Sequence, residues 1–166
     1  SPIGSEGTTI GFGGGERNLR NASFRHASSK DDKVGFKISG QYYAGTDWEY
    51  VDPIEVQANN GVNPRDYDIE KFTGEARVDF RPDENTEIVL SAGFNQSAMI
   101  EMTGLGAAQT ENWRYQHLQA RMRHQDWFAQ IFFNKSDAGD THLLRTKDAI
   151  VDKSTLTVLQ LQHSAQ

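Results

Sequence analysis

Apolar side chains recur at every second position along most of this chain, a period that fits strands with one apolar face and leaves little room for helices. Over residues 34–44, Val34, Phe36, Ile38, Gly40, Tyr42 and Ala44 fall on one parity, and Gly35, Lys37, Ser39, Gln41 and Tyr43 on the other. Residues 71–80 oppose Phe72, Gly74, Ala76, Val78 and Phe80 to Lys71, Thr73, Glu75, Arg77 and Asp79. Residues 87–95 set Ile88, Leu90, Ala92 and Phe94 against Glu87, Val89, Ser91, Gly93 and Asn95. Later, Trp127, Ala129, Ile131 and Phe133 alternate with Phe128, Gln130, Phe132 and Asn134. Weaker alternation at 7–15, 19–28, 113–123 and 156–166 brings the expected count to about eight strands, with no helix.

The connections between these stretches differ in kind. Those around 28–33, 81–86 and 124–126 are short and rich in turn formers or charge, after a first tight bend at Gly13-Gly14-Gly15, whereas 47–70, 96–112 and 136–155 are long. Short and long links in strict alternation put every long loop at one end of an antiparallel up-and-down sheet. That is the habit of outer-membrane barrels, whose tilted strands need about 9–11 residues to cross the bilayer. Aromatics test the idea: Tyr42, Tyr43, Trp48, Tyr50, Trp113 and Tyr115 stand near the long-loop ends, and Phe80 and Trp127 at the other, as two interfacial girdles would.

Composition agrees with a membrane strand protein but would also suit a soluble one. The chain has 166 residues, 36% of them hydrophobic, and no run of about 18 apolar residues that could form a transmembrane helix. Strands that alternate lipid-facing and water-facing residues lower the average hydropathy, so this does not exclude a barrel. The absence of Cys removes disulfide scaffolds, thiolate metal sites and cysteine nucleophiles together. Seventeen Lys and Arg against 23 Asp and Glu leave a net charge of −6, which argues against a nucleic-acid partner. The chain opens at Ser1 without a basic or apolar leader and stops while residues 156–166 still alternate, so both ends read as cut from something larger.

Particular runs also look familiar. Gly14-Gly15-Glu16-Arg17-Asn18-Leu19-Arg20-Asn21, Lys37-Ile38-Ser39-Gly40-Gln41-Tyr42-Tyr43 and Asp47-Trp48-Glu49-Tyr50 resemble the early barrel region of TonB-dependent outer-membrane receptors. The opening Ser1-Pro2-Ile3-Gly4 resembles the sequence just after the plug domain of such a receptor. Residues 111–120, 136–141 and 150–154 resemble the same family, so the likeness covers nearly the whole chain and rests on order and spacing. It implies that residues 1–166 are the N-terminal strands of a twenty-two-stranded barrel in the bacterial outer membrane. The whole receptor would hold a plug, draw energy from TonB, and import a scarce small ligand such as a siderophore, cobalamin or an oligosaccharide. The partners implied are outer-membrane lipid, the plug of the same parent protein, TonB through the part not present, and the ligand.

Two rival readings follow from the same pattern. A soluble β-sandwich, for instance a carbohydrate-binding module, would bury Phe36, Val78 and Leu90 in one core; a small eight-stranded outer-membrane barrel would close on itself. No catalytic order of Ser, His and Asp and no carboxylate pair argues for an enzyme. Gly11-Phe12-Gly13-Gly14-Gly15 lacks the spacing of a phosphate loop, and the five His have no metal-ligand spacing, so neither a cofactor nor a metal is expected. The acidic, aromatic runs 47–52 and 65–68 lack the order of a calcium loop. The ligand candidates are therefore Tyr43, Trp48 and Tyr50 near the outer loops and Lys37, Glu75 and Arg77 on a charged, lumen-facing stripe that includes Asp79. Trp113 and Tyr115 fall on the parity opposite to Leu118, Ala120 and Met122, for which a bulge within 113–123, or a strand end above the membrane, is the expected cause.

Overall fold

Alternation of this kind becomes an antiparallel sheet laid down in chain order. The computed structural model describes residues 1–164. It comprises β1 (Gly7–Gly14), β2 (Arg20–Lys30), β3 (Val34–Thr46), α1 (Pro53–Ala58), β4 (Asp68–Asp83), β5 (Thr86–Thr103), β6 (Gly106–His124), β7 (Trp127–Asp137), the two-residue β8 (His142–Leu143) and β9 (Thr155–His163). Pairing runs β1-β2-β3-β4-β5-β6-β7-β9, every neighbour antiparallel, with β8 added to the side of β6. The sheet is open, and the ninth strand beyond the expected eight is the short β8. The strand expected over 156–166 is β9 as far as His163; positions 165 and 166 lie outside the described residues.

Two expectations about connections are corrected. One helix does form: Asp52 accepts a hydrogen bond from the Ile54 amide as N-cap and Pro53 occupies the first turn, a start signal too short to leave any helical period. The supposed long loop at 96–112 is instead the upper half of the β5–β6 hairpin, closed at Gly104 and Leu105. Its alternation is lost because the ladder slips there: Ser97 pairs with Trp113 but Met99 with Thr110, so Glu111 and Asn112 oppose Ala98 alone, with Asn112 at φ 58°. Such a bulge flips the parity of everything beyond it. Strict alternation of short and long links therefore fails at this hairpin, while the difference between the two ends survives. One end carries only the tight turns at 31–33, 84–85 and 125–126, with Asp31, Asp32 and Gln125 in the left-handed region that tight hairpins use. The other carries the bend at 15–19, the connections 47–67 and 138–154, and the hairpin tip.

The two faces of the sheet are inverted relative to a globular protein. Phe36 and Leu90 on the apolar face are 46% and 49% exposed, whereas Asp79 and Val89 on the polar face are 0% and 2% exposed. Residues 1–6 lie across that polar face at the short-turn end. Ser1 Oγ donates to Asp79 Oδ2 at 2.6 Å, and Arg25 Nη2 donates to the Ser5 carbonyl at 2.7 Å. Gly35 lets the segment approach, since a Cβ there would come within 2.8 Å of Ile3 Cγ1. Among the described residues there is no second sheet, so Phe36, Val78 and Leu90 do not share the buried core that a sandwich requires.

The apolar face is a band that crosses the strands obliquely. In β1 the exposed pair is Ile10 and Phe12, which the register places in the rows of Gly74 and Phe72. In β9, an edge strand exposed throughout, the pair on the apolar face is Leu159 and Leu161, in the rows of Val78 and Phe80. The pair moves from the rows of Phe72 and Gly74 to those of Val78 and Phe80, six residues over the seven pairings from β1 to β9. At ~3.3 Å per residue and ~4.8 Å per strand, that inclines the band to the ladder rows by about 30°.

Candidate ligand-binding face

The polar face divides into a charged lower part and a neutral upper part. Near the short-turn end Lys37 Nζ lies 2.7 Å from Glu75 Oε1, and Arg77 holds Asp79 through two guanidinium nitrogens at 2.6 and 3.0 Å. Next to them Arg81 binds Glu87 at 2.8 Å. The sequence-predicted residues Lys37, Glu75 and Arg77 thus come together as neighbours on β3 and β4, each engaged with an opposite charge within the sheet.

Above this stripe the face turns to hydroxyls, amides and aromatic rings. One row crosses the sheet as Ser23, Gln41, Thr73, Asn95 and Tyr115, and the next as Asn21, Tyr43, Lys71, Ser97 and Trp113. Two adjoining hollows, of about 400 and 280 Å3, share a floor of Gln41, Thr73 and Asn95; Tyr115 and His117 wall the larger and Tyr43 the smaller. The indole of Trp113 and the phenol ring of Tyr115 are stacked, with centroids 6.2 Å apart and planes 14° from parallel. Trp113 Nε1 donates to Ser136 Oγ at 3.2 Å, which fixes the indole in place. Their parity is real: the register from Ser97–Trp113 to Thr86–His124 is unbroken, and the bulge lies just above at 111–112. Trp113 and Tyr115 therefore correct the expected girdle, because they stand on the polar face; Tyr43 does too, while Tyr42 is on the apolar face with its hydroxyl on Glu70 at 3.0 Å.

Trp48 and Tyr50 belong to a third region, the mass formed by the long connections. Arg17 lies over the Trp48 ring at 4.4 Å and Arg65 over the Tyr50 ring at 5.1 Å, so both rings already hold cations. Arg65 also grips Glu55, 1% exposed on α1, at 2.6 and 2.9 Å. Asn59 Nδ2 donates to the Leu144 carbonyl, the Asp66 amide to Gln109 Oε1, and the Leu144 amide to the Ala107 carbonyl, each at 3.0 Å. These bonds tie 47–67, 138–154 and the β5–β6 hairpin into one packed unit around Leu144, Ala107 and Ala108. Arg145, bonded to Asp52 at 2.8 Å, together with the Ile54 amide, holds the Asp52 carboxyl below the usual aspartate range.

The six sequence-predicted residues consequently fall in three places: Lys37, Glu75 and Arg77 on the lower polar face, Tyr43 on the upper, and Trp48 with Tyr50 in the loop mass. Sequence pattern does not single out Gln41, Thr73, Asn95 and His117, and it assigns Trp113 and Tyr115 to an interfacial girdle despite a parity opposite to Leu118, Ala120 and Met122. Their parity was the available signal, since both match the polar residues of β6 and none of its apolar ones. Among the described residues no group of three or more His, Asp or Glu is placed to hold a metal ion, and no helix is long and apolar enough to cross a membrane. No protein-family model matches the chain, and no curated protein or solved structure is significantly similar to it.

Proposed function

We propose that the chain is a wall segment of a larger outer-membrane β-barrel of the TonB-dependent receptor type, which takes up a scarce small ligand across the bacterial outer membrane. The observation that carries this reading is the oblique apolar band. A soluble sheet covered by a second layer has Phe, Leu and Ile shielded; here they are exposed in a continuous stripe, while Ala27, Asp79 and Val89 are covered on the other side. The inclination of about 30° is near the ~35–45° tilt of barrel strands, which a membrane of fixed thickness imposes on the lipid-facing surface. The short turns at one end and the packed connections at the other match periplasmic and extracellular sides.

The open sheet favours a larger barrel over a closed eight-stranded one. β1 and β9 end the pairing path without meeting, and hydrocarbon tolerates no unpaired strand edge, so further strands would continue both edges. Residues 1–6, lying on the polar face at the short-turn end, favour a plug that enters the lumen from that side. In this reading the lipid meets Phe36, Val78 and Leu90, the lumen meets Lys37, Glu75 and Arg77, and coupling to TonB resides in the parent protein. The role is binding and passage of a ligand, not catalysis, and involves no nucleic acid. The protein that carries this segment should fractionate with outer membranes and migrate faster on electrophoresis before heating than after; recovery from the soluble periplasmic fraction would contradict the proposal.

A further inference from the structure

We infer that the upper polar face binds a neutral oligosaccharide, with sugar rings stacked on Trp113 and Tyr115 and hydroxyls hydrogen-bonded to Gln41, Thr73 and Asn95. The inference deepens the barrel reading, on which it rests for the claim that this face lines the lumen.

The chemistry of the surface selects the ligand class. The rings of Trp113 and Tyr115 lie 14° from parallel with centroids 6.2 Å apart, and the indole is pinned by its bond to Ser136, so little ordering remains when a sugar packs against them. A pyranose presents an apolar C–H face to an aromatic ring and a rim of hydroxyls that both donate and accept. Gln41 and Asn95 supply donors and acceptors on one side chain each, and Thr73 both on one atom. On the apolar face Gln96 spends its amide on Asn112 and Arg114. Among the described residues, by contrast, Gln41, Thr73 and Asn95 make no side-chain hydrogen bond and remain available to a ligand.

Charge excludes the main alternatives. An anionic iron chelate calls for clustered cations, yet across these two rows Lys71 is the lone one, and Arg77 and Arg81 below are already paired with carboxylates. A flat heterocycle would use the aromatic rings but leave the amides and hydroxyls unanswered. The hollows adjoin and extend from Tyr43 on β3 to Tyr115 on β6, three strand spacings or about 14 Å, room for more than one sugar ring.

The test uses the whole protein that carries this segment, refolded in lauryldimethylamine oxide micelles, a detergent without sugar, and titrated calorimetrically with maltohexaose, cellohexaose and mannohexaose. Oligogalacturonate and ferric citrate serve as the anionic comparators. At least one neutral hexaose should bind at least ten times more tightly than either anion. Trp113→Ala should weaken it about tenfold, Trp113→Tyr should recover most of the loss, and Trp127→Ala on the apolar face should change nothing. A chain that enters micelles as β-structure and binds none of the three hexaoses, or binds them equally well as Trp113→Ala, overturns the sugar site and leaves the barrel standing. A chain that is monomeric and soluble without detergent overturns the barrel instead, and the same titration in plain buffer then decides the site alone.

Discussion

Ile38→Arg is expected to abolish stable insertion, while Ser39→Arg, one residue along the same strand, leaves it nearly intact. Ile38 is the midpoint of the apolar run 34–42 of β3, exposed on the banded face; Ser39 points to the polar face. An arginine on a lipid face near the bilayer midplane costs about 2–4 kcal/mol, which is comparable to much of the stability a domain has to lose. On a wet lumenal face the same side chain keeps its hydration and adds one more cation to a surface that already contains Lys37 and Arg77. The folded fraction in lipid vesicles, read as heat-modifiable mobility across a urea series, separates the two variants. Equal behaviour of the pair would mean that neither face meets lipid.

Arg65→Ala is expected to release the 47–67 connection from the loop mass without disturbing the sheet. Removing the guanidinium strands Glu55 as an unpaired carboxylate at a site that is 1% exposed, and breaking such a buried pair costs about 3–5 kcal/mol. None of the ladder pairs of β3 with β4 involves these residues, so the loss is local. Amide exchange at 53–67 should accelerate by at least two orders of magnitude with β3 and β4 unchanged. The double variant Glu55→Gln with Arg65→Met should recover part of the protection, because it replaces two buried charges at once. Acid acts on the same unit through Asp52. Its carboxyl is depressed in the folded state, so the contribution of the Arg145 contact is complete above the ordinary aspartate value of 3.8 and fades as pH falls below it. Exchange in 138–154 should therefore rise in strong acid before the sheet opens, and uniform protection down to global unfolding would contradict a pH-sensitive contact.

Much of the sheet was legible from parity. The strands at 34–44, 71–80, 87–95 and 127–134 were placed because each has one face in a uniform environment, which writes period two into the residues. The same logic explains where legibility ended. Above Ser97 and Trp113 the hairpin meets neither a banded apolar surface nor the polar face in regular succession, and the extra residue at Glu111-Asn112 inverts the parity, so residues that form long strands read as a loop. α1 is only six residues long and leaves a cap, not a period. The charged stripe was found because Lys37, Glu75, Arg77 and Asp79 share a face whatever that face meets. Trp113 and Tyr115 read as girdle aromatics from their place near a strand end, although parity alone puts them beside Asn95 and Ser97. Trp48 and Tyr50 were singled out as exposed aromatics, and the cations that cover them, Arg17 and Arg65, come from sequence-distant segments that no local pattern could pair.

The inside-out sheet can be tested directly because the chain has no cysteine, so single cysteines can be placed anywhere without a background. Substituting each residue from 34 to 42 in turn, labelling it with an environment-sensitive fluorophore and quenching with brominated lipid reads the face of β3 one residue at a time. Strong lipid quenching at 34, 36, 38, 40 and 42, with weak quenching at 35, 37, 39 and 41, is the expected result. Equal quenching along the strand, or none in either set, would contradict a wall with one side in lipid and the other in water.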